Sequence, residues 1–329
     1  MTRVSENSSV HAINYAVGKA KGKVEDLQLK GSTMKRLNKP SDDPVGNVEL
    51  MSIRSRDVDA EQYKRSLSFA QTNLSFTENV LEEITDILAK AKELAVGQAS
   101  SIYGPEIRAG VAKEIHQLRQ QVLNLANKRI GNRYIFSGQK TLTRPFDENG
   151  KYHGDQNKIS VEINKDVFIP VNLPGKNIFF ASVDKSKPLE KSQLDLAPAQ
   201  SNPANATQRN PASVNEEVEV SIFDELRALE NALITDNPQL VQGLLERFDQ
   251  SLERIVAART EIGALSNSVS NNESNIEKTK LLNSARKSQI EDADVTELFG
   301  ELQKEKNVLQ ATYKASSNLM NTSLMDFLK

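Results

Sequence analysis

The stretch VHAINYAVGKAKGKVEDLQLKGSTM, residues 10–34, decides the fold class. Its residues Val10, Ile13, Val17, Ala20, Val24, Leu27, Gly31 and Met34 recur at spacings of three and four, drawing one narrow apolar line along a helix. A line about two residues in seven wide is a helix-helix seam, which leaves water only against a partner helix. The other end of the chain mirrors it with Leu298, Leu302, Leu309 and Leu319, closing on Leu324, Met325, Phe327 and Leu328. The spacing leaves the partner open: the two ends can pair with each other, with copies of the chain, or with both.

Composition supports thin helices over a thick core. The 329 residues are 38% hydrophobic and 5% aromatic, with no Trp, while 26% are charged. A mean hydropathy of -0.51 fits helices with one buried face. The net charge of -2 gives no field to gather nucleic acid or an anionic membrane, and neither is expected as a partner. With no cysteine there is neither disulfide nor thiolate metal site. No apolar run approaches the ~18 residues of a membrane span, and residues 1–10 lack the basic start and apolar stretch of a cleavable signal.

Outward from the first seam, helix from about Ser9 to Leu37 stops at Asn38-Lys-Pro-Ser-Asp-Asp-Pro44. Pro40, Ser41, Asp42, Asp43 and Pro44 favour a turn and a helix N-cap, with Asp43 as the cap and Pro44 in the first turn. A second helix then runs to Gly97 on the seam Ile53, Ala60, Leu67, Ala70, Leu74, Thr77, Leu81, Ile84, Leu88, Ala91 and Ala95, with Lys90 and Glu93 on its solvent face. A rise of about 1.5 Å per residue makes it roughly 75 Å long, an elongated rather than globular element. A third helix from Ile107 reaches about Arg129, and Gly131 breaks it.

There the period switches from helical to alternating. Tyr134 to Phe136, Ile159 to Ile163, Val167 to Val171 and Ile178 to Phe180 read as strands, separated by turn residues at Asn149-Gly150, Asn164-Lys165-Asp166 and Pro174-Gly175. Residues 184–213, rich in Pro, Asn, Gln and Ala, read as an irregular linker. Helices return near Glu216, and Asp236-Asn237-Pro238 opens a long one on the seam Val241, Leu245, Phe248, Leu252, Ile255, Ile262, Val269 and Ile276. The expected fold is mainly α with a small β domain, an elongated long-helix bundle whose N- and C-terminal halves nest. The expected divisions are 1–42 with 293–329 as terminal helices, 43–140 with 215–292 as the long-helix bundle with a β-hairpin, and 141–214 as an outer β-rich domain and linker.

No constellation points to catalysis. His11, His116 and His153 share no spacing, and there is no phosphate loop or nucleophile elbow. Asp42 with Asp43, and Asp292 with Asp294, lack the regular oxygen ligands of a calcium loop and read as helix-entry charge. No catalytic residue, metal or cofactor is expected.

These motifs, in this order, resemble the bacterial flagellin family, most closely its members at the hook-filament junction. The motifs are RLNKPSDDPV at 36–45, NRYIFSG at 132–138, YHGD at 152–155, RTEIGALSN at 259–267, IEDAD at 290–294 and SLMDFLK at 323–329. The resemblance implies a structural component of the flagellum, exported by its type III pathway without a cleavable signal and placed outside the cell. It implies self-assembly into a ring, contact with the hook-side hook-associated protein and with filament flagellin, and an export chaperone on the C-terminal helix. The assembly surface expected from it is Val10, Ile13, Val17, Val24, Leu27, Met34, Leu298, Leu302, Leu309, Leu319, Leu324, Phe327 and Leu328. Two alternatives are a filament flagellin and, in another class, a coiled-coil adaptor or signalling protein, which would continue as helix through residues 134–180.

Overall fold

The computed structural model describes residues 3–99, 104–183 and 218–327, and the side chains of all of these except 3–10, 182–183, 218–219 and 318–327. The linker expected at 184–213 lies outside the described residues. Among the described residues, helices dominate. They are α1 (Arg3–Thr33), α2 (Pro44–Gln98), α3 (Pro105–Ala126), α4 (Gly175–Phe179), α5 (Ile222–Ile234), α6 (Pro238–Glu291) and α7 (Val295–Phe327). Six short strands form three antiparallel pairs: β1 (Arg129–Ile130) with β2 (Arg133–Tyr134), β3 (Ser160–Asn164) with β4 (Val167–Pro170), and β5 (Phe180–Val183) with β6 (Val218–Ser221). Strands within 134–180 overturn the continuous helix of the adaptor reading. None of the described helices is long and apolar enough to cross a membrane.

The chain divides into two compact units. One takes Met1–Glu61 and Ile276–Lys329, the other Gln62–Asn275. In the second unit Leu67, Ala70, Leu74, Thr77, Leu81, Ile84, Leu88, Ala91 and Ala95 of α2 are all buried at a strict three-four alternation, while Lys90 and Glu93 face solvent. α6 answers with Val241, Leu244, Phe248, Ser251, Ile255, Ala258, Ile262 and Val269. It lies antiparallel to α2, as Lys92–Asp249, Glu78–Arg259 (3.0 Å) and Gln71–Ser266 (3.0 Å) show. Leu244 and Ser251 hold the positions expected for Leu245 and Leu252, which are half-buried beside the seam. Ser251 enters it because its hydroxyl donates to the buried Glu225 carboxylate at 2.5 Å, a bond that apolarity does not signal.

The β part is built on aromatic rings. Phe136, Phe146, Phe179 and Phe223 are buried with ring centroids 4.9–5.6 Å apart in their 146–179, 146–223, 136–179 and 179–223 pairs, distances typical of edge and stacked packing. Two motifs from either end of a short loop meet beside this cluster. The Tyr152 hydroxyl donates toward the Phe136 and Asp155 carbonyls (2.9 and 2.7 Å), and Asp155 accepts from the Gln139 N–H (2.7 Å). A Cβ at Gly138, where φ is +69°, would sit 2.1 Å from Asp155, so only glycine fits between NRYIFSG and YHGD.

Three elements differ from expectation. α3 ends at Ala126, and Arg129–Ile130 instead pairs with Arg133–Tyr134 across Gly131, whose φ of +60° suits a tight turn. Ile178 and Phe179 belong to the short α4 rather than to a strand, because Gly175 donates to the Phe136 carbonyl (2.8 Å) and turns the chain after Pro174. Helix returns at Ile222 instead of about Glu216: Val218–Ser221 is β6, and Ser221 then caps α5 in a reciprocal box with Asp224.

Candidate assembly surface

The surface expected for assembly lies in the terminal unit. There α1 and α7 pack antiparallel, so each terminal seam finds a partner at the other end of the same chain. The contact is thin. Ala20, Val24, Leu298 and Leu302 are buried, Ile13, Val17, Leu27 and Leu309 only half-buried, and Met34 is 47% exposed. Val10, Leu319, Leu324, Phe327 and Leu328 lie outside the residues whose side chains are described. Lys23 and Glu305, 3.1 Å apart, add one ion pair across the helices, and its exposure to solvent keeps its contribution below about 1 kcal/mol.

Met34 is exposed for a backbone reason. It takes a left-handed conformation, φ 55°, and leaves the helix there. Its carbonyl accepts from the Ala293 N–H (3.1 Å), and the Arg36 N–H donates to the Glu291 carbonyl (2.7 Å). These bonds form an antiparallel bridge, Lys35 opposite Asp292, between the turn that follows α1 and the turn that precedes α7. Beneath it sits Glu291, 3% exposed, with the Lys35 ammonium at 2.6 Å, the Arg54 guanidinium at 3.0 Å and Lys287 at 4.0 Å. Burial disfavours the charge, but the hydrogen bond and charge of Lys35, followed by Arg54 and Lys287, outweigh it and hold the carboxyl below its ordinary 4.5.

The turns on either side are capped from their own sequence. Asp43 Oδ1 accepts from the Gly46 N–H (3.0 Å) and the Asp43 carbonyl from the Asn47 N–H (2.9 Å), so Asp43 is the N-cap of α2 with Pro44 behind it. A Cβ at Gly46 would lie 2.6 Å from Asp43 Oδ2, so a larger residue there would push the capping carboxylate aside. Asp42 accepts from the Lys39 and Asn38 N–H groups at 2.9 and 3.1 Å, bonds that lower its pKa, with Lys39 the larger contributor. Pro40, Ser41 and Pro44 are exposed around it. On the other strand of the bridge Asp294 caps α7 through the Thr296 N–H (2.8 Å), and Asp292 accepts from Ser288 (2.5 Å).

Sequence reasoning missed the Glu291 cluster. Glu291 stands inside the quoted IEDAD motif, but its partners Lys35 and Arg54 are 256 and 237 residues away, beyond any local spacing. The histidines remain apart: His116 faces Glu230 (2.9 Å), His153 faces Asp147 (3.3 Å), and His11 is exposed. Among the described residues no three His, Asp or Glu side chains cluster as metal ligands.

Comparison with known proteins places this nested arrangement. Residues 4–141 match the bacterial flagellin N-terminal helical region and residues 245–328 the bacterial flagellin C-terminal helical region, together covering most of the chain. The chain belongs to the bacterial flagellin family. It is 27% identical to flagellar hook-associated protein 3 of Escherichia coli (strain K12) over 91% of its own length and 90% of that protein. Against the protein of the same name from Salmonella typhimurium it is 26% identical, over 89% of each. The solved flagellar junction protein FlgL of Legionella pneumophila shares the fold, with a TM-score of 0.55 and 19% identity over 74% of this chain and all of that one. The flagellin regions contain both turns of the bridge, the Asp43 cap and the Glu291 cluster, whereas residues 142–244 fall outside them.

Proposed function

We propose that this chain is a structural, non-enzymatic junction protein of the bacterial flagellum, assembling as a ring between the hook-side hook-associated protein and filament flagellin. The observation that carries this reading is the near end-to-end likeness to hook-associated protein 3, joined to a terminal unit in which both ends of the chain form one sparsely packed layer. Ile13, Val17, Leu27 and Leu309 are half-buried and Met34 is open, so a neighbouring copy can still remove apolar area from water, at about 25 cal/mol per Å². The same open seam suits export: helices with little core unfold at small cost, and a chain without cysteine threads without a disulfide to break. We assign export to the flagellar type III pathway and a chaperone to the C-terminal helix, whose seam is only thinly covered by α1 before assembly.

Deletion followed by electron microscopy of the cells tests the role. The expected result is hooks without attached filaments and flagellin shed into the medium. Normal filaments on the deletion strain would contradict it. Chaperone binding is checked by co-purifying the full chain with and without residues 295–329: loss of a bound partner on truncation is expected, and unchanged recovery would remove that partner from the account.

A further inference from the structure

The net charge of -2 hides one strongly basic surface in the central unit. No Asp or Glu stands between Glu114 and Asp147, while Lys128, Arg129, Arg133, Lys140 and Arg144 fall within that stretch, all exposed. The fold gathers them. β1 and β2 pair Arg129 with Tyr134 and Ile130 with Arg133, and the segment that follows returns alongside. The Tyr134 N–H donates to the Thr141 carbonyl (2.8 Å), the Ile135 N–H to the Lys128 carbonyl (3.3 Å), and the Phe146 N–H to the Asn127 side-chain oxygen (3.1 Å). Three neighbouring backbone runs therefore carry all five cations.

This charge is left unpaired. The acids that flank the stretch are committed elsewhere, Glu114 to Lys90 (2.6 Å) and Asp147 to the Asn149 and Lys151 N–H groups (2.9 Å each) and to His153 (3.3 Å). Among the described residues Lys128, Arg133, Lys140 and Arg144 enter no ion pair. Arg129 is held over the Tyr134 ring, 5.4 Å from its centroid, a contact that fixes the guanidinium without neutralising it. On the third run Leu142 is 72% exposed between Lys140 and Arg144.

We propose that this surface docks an extended acidic segment of another protein, with carboxylates on the Arg129, Arg133 and Arg144 guanidiniums and an apolar side chain against Leu142. The site goes beyond the junction role and does not depend on it. Residue types choose the occupant. Three of the five cations are arginines, whose planar fork takes a carboxylate through two parallel hydrogen bonds, the means by which arginine clusters read acidic motifs. Leu142 adds apolar area for which a uniform polyanion has no matching group, whereas a peptide presents carboxylates and apolar side chains together. Tyr134, half-buried and with Arg129 over its ring, offers no open platform on which a nucleic-acid base could stack. A bilayer would call for a broader apolar face than one leucine.

Fluorescence anisotropy of a labelled peptide, two repeats of Glu-Asp-Leu-Glu-Asp, titrated with the full chain tests the site. The peptide should bind at least tenfold more tightly than its Gln/Asn counterpart, and the difference should shrink as salt rises. Arg133→Glu/Arg144→Glu should lose at least tenfold in affinity and keep the wild-type melting temperature. Equal binding of the acidic and neutral peptides, or full binding by this variant, would overturn the proposal. If charge reversal lowers the melting temperature, the single variant Lys140→Glu decides: a several-fold loss of affinity upholds the site and an unchanged affinity overturns it. Leu142→Ser should weaken the peptide several-fold while leaving untouched a version with Ser in place of Leu; an unchanged affinity for the first peptide would overturn the choice of a peptide over a bare polyanion. Binding of polygalacturonate, single-stranded DNA or phosphatidylcholine/phosphatidylglycerol vesicles that is tighter, per anionic group, than that of the peptide would overturn it as well. If the peptide does not bind and a deletion strain loses its filaments, the site falls and the junction role stands. If deletion leaves filaments intact, the junction role falls whatever the peptide shows.

Discussion

The two units of this chain solve burial differently. In the Gln62–Asn275 unit the seam runs unbroken through buried Leu and Ile side chains, and five phenylalanines, 136, 146, 179, 223 and 248, are essentially without exposure. Among the described side chains of the terminal unit the buried apolar set is smaller, Ala20, Val24, Leu50, Ile53, Ala60, Ile276, Leu298 and Leu302, and its described aromatics, Tyr15, Phe299 and Tyr313, are all at least 47% exposed. One unit has an interior of its own. The other has seams that are half filled, stitched at one point by a backbone bridge and a buried glutamate. The contrast fits the proposed assembly: the central unit should be stable as a monomer, and the terminal unit should complete its packing only against other copies.

The sharpest way to break this comparison is to make the same kind of deletion in both units. Phe146→Ala empties a site lined by Phe179, Phe223 and Tyr152 and should cost about 4 kcal/mol in urea unfolding followed by circular dichroism. Leu302→Ala, in the thin α1–α7 contact, should cost about 1 kcal/mol of monomer stability while impairing assembly more than Phe146→Ala does once each is refolded. Equal losses in the monomer would erase the distinction.

A second contrast sets two buried glutamates against each other, each 3% exposed. Glu291 has a folded pKa below 4.5, so it stabilises above that value and its contribution is lost as pH falls through the lowered pKa. Glu225 is the reverse. Burial raises its pKa, only partly offset by the Ser251 hydroxyl and by Arg254 and Arg247, so its ionisation costs stability as pH rises through the raised value. Glu291→Gln should therefore destabilise the terminal unit at pH 7 by about 1–2 kcal/mol, since Lys35 and Arg54 are partly solvated, with the deficit vanishing in acid. Glu225→Gln should be neutral or stabilising at pH 7 and indistinguishable from wild type near pH 4. Melting curves of both variants from about pH 2.5 to pH 8 check the two signs. Asp43→Ala removes one cap bond and should cost about 1 kcal/mol, seen as earlier proteolytic cleavage near residues 38–44.

Helices and their stops were legible because they are local: the seam of α2, the Asp43–Pro44 entry and the Pro238 start follow from spacing and capping chemistry alone. So were the β3–β4 hairpin, from alternation around Asn164-Lys165-Asp166, and the meeting of terminal seams as one possible pairing. What stayed hidden depends on distant partners. Nothing near Val218 announces that it pairs with Val183, and nothing in Ile178-Phe179 tells helix from strand until Phe136 lies against Gly175. Ser251 enters a hydrophobic seam for the sake of Glu225, and Glu291 is buried for the sake of Lys35 and Arg54. Val45, Val48, Met51 and Val58 are apolar yet exposed; the period of the seam places them outward, but nothing local to them tells that no other element covers them.

Hydrogen exchange of the full chain, as a monomer and after assembly, measures the central claim most directly. Amides of residues 11–33 and 295–317 should exchange at least a hundredfold faster in the monomer than those of 67–95 and 241–269, and should gain protection on assembly. Equal protection of both sets in the monomer, unchanged on assembly, would contradict the division between a self-sufficient central unit and a terminal unit completed by its neighbours.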